Sequence, residues 1–74
     1  MKVYITFGQI HVHSVNGKTL DKDCVGVIKC ESLGEGRQLA MTLFNGRFHQ
    51  ALTRKEVDDG DVMQYFPRGF INVN

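Results

Sequence analysis

The sequence has no tryptophan, one proline and only two cysteines among its 74 residues. It also lacks a charge of one sign: nine Lys and Arg stand against eight Asp and Glu, a formal net charge of +1. Each scarcity excludes something. A phosphate-backbone binder carries a basic excess or a Lys/Arg run. The densest basic stretch here is Arg54-Lys55, followed at once by acids, so nucleic acid is not favoured as a partner. No apolar run approaches the roughly 18 residues of a membrane span, so no membrane association is expected. Cys24 and Cys30 lie in CVGVIKC. On one strand, six residues at about 3.3 Å each separate them by about 20 Å, far beyond the roughly 4.4–6.8 Å of a disulfide. With neither a bridge nor a secretory leader, the expected compartment is cytoplasmic.

What is present describes one small domain spanning residues 1–74. Apolar residues make 42% of the chain and charged residues 23%, a globular balance rather than a disordered one. A chain of this length buries only roughly 60% of its unfolded surface. Stability is therefore expected to be marginal, and homodimerisation would extend the core.

KVYITF (2–7) alternates, with Val3, Ile5 and Phe7 on one face and Lys2, Tyr4 and Thr6 on the other. That predicts a half-buried strand. Beyond Gly8 the alternation resumes, which puts Ile10 and Val12 inward and His11 and His13 outward. Asn16-Gly17 is a turn signal, and NGKTLDKD (16–23) reads as a connecting loop with Leu20 tucked in. CVGVIKCE (24–31) predicts a central strand, apolar on both faces and hence covered on both.

Ser32 with Glu35 fits a capping box. Leu39, Ala40, Leu43 and Phe44 then follow at helical spacing, and Asn45-Gly46 stops the helix. Gly34 and Gly36 either weaken its start or mark close packing. RFHQALT (47–53) predicts a further strand, RKEVDDGD (54–61) a charged loop, VMQYF (62–66) a short helical turn and GFINV (69–73) a last strand. The fold class is α+β: a small, mostly antiparallel sheet of four to five strands in the order β-β-β-α-β-β. One helix, at about 33–45, packs on one face.

The chemical candidates are few. His11 and His13 share a strand face, about 6.6 Å apart along the chain. A zinc site needs three or four ligands, and Asp21, Asp23, Cys24, Cys30 and His49 supply none at a recognised spacing. The pair is thus expected to be a polar stripe able to touch a ligand or partner. DKDC (21–24) lacks the further oxygen ligands of a calcium loop, and its acids read as loop solvation. The cysteines, on a strand with apolar neighbours, read as inert thiols rather than nucleophiles. No nucleophile elbow, phosphate loop, dinucleotide fingerprint or His-Glu-x-x-His helix is present, so no enzyme activity, metal or cofactor is expected. In YFPRGF (65–70), two of the three rings are expected in the core and Arg68 at an exposed turn.

TFGQ with His-x-His (6–13), DKDC (21–24), the helix ending LFNG and YFPRGF (65–70) together resemble a group of small bacteriophage-encoded proteins. The resemblance spans most of the chain. It implies a phage origin and expression inside a bacterial cell, and it carries no site residues with it. Three functions follow as expectations. The first is a non-enzymatic protein that acts stoichiometrically on a host or defence protein. The second is a binder of a nucleotide or other anion through His11, His13, Lys18, Lys22 and Arg47. The third is a metal binder through the His-x-His pair. Tyr65 and Arg68 are the expected contacts to a protein partner.

Overall fold

A computed structural model describes residues 1–74. The chain runs β1 (Lys2–Thr6), β2 (His13–Val15), β3 (Lys18–Leu20), β4 (Cys24–Lys29), α1 (Leu33–Phe44), β5 (Gln50–Leu52), α2 (Arg54–Asp59), a 3₁₀ turn (Val62–Tyr65) and β6 (Gly69–Asn72). The class is α+β. Four strands form a mixed sheet in the order β5-β1-β4-β6, while β2 and β3 form a separate hairpin. β1 is antiparallel to both β4 and β5, and β6 runs parallel to β4.

β1 pairs Val3 with Ile28 and Tyr4 with Val27, so each face of the central strands carries its own apolar set. On the first face Val3, Ile5, Phe7, Cys24 and Ile28 meet Ala40 and Phe44 of α1, and Leu20 of β3 closes the same core. Phe7 and Phe44 stack edge to face with ring centroids 5.0 Å apart. On the second face Tyr4, Val25 and Val27 surround Val57 of α2, with Val62, Met63 and Phe66 beside them. Tyr4 and Thr6 are therefore buried, not the solvent face of a half-buried strand.

α1 begins where the sequence places it. Ser32 Oγ accepts the Glu35 N–H, but the Glu35 carboxylate accepts from the Glu31 N–H instead of from Ser32. Asn45 ends the helix in the left-handed conformation. The fully buried stripe is Gly36, Ala40 and Phe44. Leu39 is half-buried, and Leu43, expected inside, is exposed.

Segment 54–61 is not a loop. Thr53 and Glu56 form a reciprocal capping box that opens α2. Arg54–Asp58 and Lys55–Asp59 pair across one turn on its outer side, and Val57 is its single buried anchor. The fold has two helices, one on each side of the sheet, where one was expected. Residues 18–20, expected as part of a loop, pair with 13–15 as a hairpin: His13 faces Leu20 and Val15 faces Lys18. Asn16 and Gly17 both take positive φ at its tip, as a type I′ turn demands. Cys24 and Cys30 are free.

Gly36 is where α1 touches the sheet. A Cβ there would come within 2.3 Å of Val3 Cγ2 and 2.9 Å of Cys30 Sγ. Gly36→Ala is therefore expected to destabilise by about 1–3 kcal/mol, overriding a helix-propensity gain of about 1 kcal/mol. Gly34→Ala, with open space around it, is expected to be neutral or stabilising by up to about 1 kcal/mol. Urea unfolding of both variants checks the contrast; equal effects would mean that α1 does not seat on Val3.

Candidate functional site

The connection from β1 to β2 turns at Gly8, whose φ is +69°. Residues 8–10 form this turn and the strand restarts only at His13. The turn resets the alternation and inverts the expected register. Ile10 and Val12 lie outside, 83% and 68% exposed, while His13 faces inward with its ring centroid 4.9 Å from that of Phe44 and 5.8 Å from that of Phe7. His13 Nε2 donates to the Arg47 carbonyl at 2.7 Å. This bond assigns the Nε2–H to that carbonyl and makes His13 a strut between the hairpin and the loop after α1. His11 lines a hollow of about 230 Å³ with Ile10, Asn45 and Arg47. Nowhere do three or more His, Cys, Asp or Glu side chains gather as a metal site would require.

The other expected contacts separate into struts and a site. Lys18 Nζ donates to the Asn72 carbonyl, and the neighbouring Asn16 Nδ2 to the Val73 carbonyl. Both tie the hairpin to the end of β6. Arg68 pairs with Asp21 at 3.1 Å and donates its backbone N–H to the Asp23 carbonyl. Asp21 Oδ1 also accepts the Asp23 N–H. The two acids of DKDC thus hold a clasp between the start of β4 and the start of β6, which makes Arg68 a structural residue. Cys24 is buried inside this clasp, and burial pushes its thiol pKa up, the opposite of what a nucleophile needs.

Lys22 and Tyr65 take a different place. They meet across a cleft of about 530 Å³ on the α2 side of the sheet, within the roughly 300–1,000 Å³ of small-ligand sites. The 3₁₀ turn supplies one wall with Val62 and Tyr65, continued by Phe66. Gly8 and Gln9 of the turn after β1 line it too, next to His49 and Gln50, which lead into β5: a Cβ on Gly8 would lie 3.5 Å from His49 Cβ. Thr6 lies at the base. It is 3% exposed, and its Oγ1 is the one buried side-chain polar atom without a hydrogen-bond partner. The backbone there is rigid: the His49 N–H donates to the Thr6 carbonyl at 2.7 Å.

The lining contains a lysine, a histidine and two glutamines but no carboxylate. Lys22 Nζ is 3.5 Å from Asp23 Oδ1, with both side chains substantially exposed, a pairing worth no more than about 1 kcal/mol. A larger hollow of about 600 Å³ beside Met1 is open and mixes Lys2 and Lys29 with Glu31 and Glu35. Those exposed charges of both signs favour no particular ligand.

Of the rings of YFPRGF, where two were expected in the core, only Phe66 packs against one, half-buried on the second face; Tyr65 is 69% and Phe70 42% exposed. Phe70 instead shares the Arg54 guanidinium with Tyr4, its ring centroid 5.2 Å from Arg54 Cζ against 5.7 Å for Tyr4. Thr6 and Gln9 were not candidates from the sequence, and His49 entered only as a metal ligand at no recognised spacing; contacts between distant segments bring the three into one cleft.

No family model matches the chain, and comparison with curated proteins and with solved structures gives no match. No helix is long and apolar enough to cross a membrane.

The clasp makes a pH-dependent prediction. Hydrogen bonding from the Asp23 N–H, helped by Arg68, holds the Asp21 carboxyl below its ordinary range. Its stabilisation is fully present above the unfolded value of about 3.9 and is lost as pH falls through the lower folded value. Asp21→Asn is expected to cost about 0.5–1 kcal/mol at neutral pH, with the gap to wild type closing in acid. Urea unfolding at neutral pH and in acid measures this; a gap of equal size in both would show that the carboxylate charge plays no part.

Proposed function

We propose that this chain is a non-enzymatic small-ligand-binding domain whose ligand seats in the cleft over Thr6. The observation that carries the reading is the cleft itself, whose lining joins Lys22, His49, two glutamines and the exposed Tyr65 without a carboxylate, beside Thr6, whose hydroxyl is buried and unpaired. Leaving a buried hydroxyl unsatisfied costs about 1–3 kcal/mol, a cost that a hydrogen-bonding ligand offsets. The surrounding groups suit binding: Lys22 offers charge, His49 and Gln50 offer hydrogen bonds and Tyr65 offers a ring face. Covalent catalysis would call for a nucleophile activated by an adjacent base. The site of action is the cytoplasm of a bacterial cell, in keeping with the resemblance to phage-encoded proteins.

Relative to the expected anion site, Lys22 is retained, His49 takes the role given to His11 and His13, and Lys18 is left out. A fragment screen followed by amide NMR tests the cleft. Small polar and aromatic fragments are expected to shift the amides of Gly8, Gln9, His49, Gln50 and Tyr65. Thr6→Val is expected to stabilise the protein by about 1 kcal/mol or more while weakening those fragments. A screen that leaves the cleft amides unmoved, or a destabilised Thr6→Val, would count against the reading.

The exposure of Ile10 and Val12 beside each other on one loop favours a second reading, stoichiometric contact with a host or defence protein. A photo-crosslinking residue at position 10 is expected to capture one cellular protein in defined stoichiometry, and Val12→Lys to abolish the capture. Crosslinks only to a second copy of the chain would point instead to a homodimer.

A further inference from the structure

We propose that the ligand of the cleft is a single nucleoside monophosphate, an inference that rests on the cleft being the functional site. Four observations converge on this chemistry. The first is charge. Lys22 and His49 line the cleft without a carboxylate among its walls, although the chain as a whole carries eight acids. An anionic group placed between them meets charge-assisted hydrogen bonding at little cost, because the exposed Lys22–Asp23 contact is weak.

The second is the ring at the mouth. Tyr65 is 69% exposed, and neither Tyr4 nor Phe70, which stack together, shares a ring contact with it. An exposed phenol beside a half-buried Phe66 is a platform on which a planar base can lie, and stacking of this kind accepts any base. The third is the set of amides. Gln9 and Gln50 both line the cleft, and each carries both a donor pair and an acceptor. Together with the hydroxyl of Thr6, which also does both, they can read the edge of a heterocycle. The fourth is size. A cleft of about 530 Å³ holds one ligand of nucleotide dimensions, and one lysine with one histidine is no track for a polymer backbone.

The roles divide accordingly. Thr6, Gln9 and Gln50 address the base edge, Tyr65 its face, and Lys22 with His49 the phosphate. His13, Lys18 and Arg68 are struts and take no part.

Isothermal titration of the full chain with AMP, GMP, CMP and UMP tests the assignment, with the matching nucleosides, inorganic phosphate and a short single-stranded oligonucleotide as comparisons. At least one monophosphate is expected to bind once per chain, about tenfold or more tighter than its nucleoside and than phosphate. Lys22→Ala and Tyr65→Ala, both at exposed positions, are each expected to weaken it about tenfold with an unchanged amide spectrum. Lys55→Ala on the outer side of α2 is expected to leave it unaltered. If no monophosphate binds while fragments still shift the cleft amides, the nucleotide assignment falls and the cleft reading stands. If neither binds, both fall. A nucleoside as tight as its monophosphate, phosphate alone as tight as the nucleotide, or a tighter oligonucleotide would each overturn the assignment too.

Discussion

Both faces of β1 and β4 are apolar, and a chain of 74 residues has to cover them both. The first face receives a 12-residue helix that reaches contact distance only because Gly36 has no side chain to hold it off Val3. The hairpin of β2 and β3 finishes that layer with Leu20 and His13. What remains for the second face is short: six residues of α2 and four of the 3₁₀ turn. They suffice to bury Tyr4, Val25 and Val27 around Val57. At the far end of β1 the cover gives way to open walls, and Thr6 lies in the core layer at the base of a cleft. The site is thus a consequence of unequal cover on the two faces of one sheet.

The DKDC turn shows how a cleft-lining side chain is placed by its structural neighbours. Asp21 is engaged by the Asp23 N–H and by Arg68, and the Asp23 carbonyl by the Arg68 N–H. Both flanks of Lys22 are fixed, so the residue between them lines the cleft. The carboxylate of Asp21 and the backbone of Asp23, acids that in sequence could suggest a cation site, act instead as the base on which a lysine is held out. The same logic turns His13 into a strut: once its Nε2–H is committed to the Arg47 carbonyl and its ring lies on Phe44, only His11 of the pair, half-buried at the rim of a small hollow, is left without such a tie.

Short-range signals were legible in the sequence and long-range ones were not. β4 declared itself by its β-branched run, and α1 by Ser32, Glu35 and Asn45-Gly46, because each depends on neighbours within a turn or a pleat. The Thr53-x-x-Glu56 box was equally visible. It was masked by the charged run that follows, in which Val57 is the only apolar residue with a core to face. The register of residues 10–13 was misjudged because one positive φ at Gly8 lets the chain turn, and alternation has no meaning across a turn. The cleft itself joins residues 6, 8, 9, 22, 49, 50, 62, 65 and 66. No spacing rule links these segments; the antiparallel pairing of β1 with β5 and the packing of the 3₁₀ turn on the second face bring them together.

Small size bears on the kind of chemistry such a site can perform. Catalysis needs groups held to within roughly half an ångström by a supporting shell. Binding asks less. A rigid base, here β1 fixed on both sides by β4 and β5, can carry one buried hydroxyl, and the exposed Lys22 and Tyr65 can adapt to the rest of a ligand. A rigid base with a pliable rim suits the binding function proposed for this cleft. For the proposed ligand, affinity would then come from Lys22 and Tyr65 at the rim, over a base that the fold already holds in place.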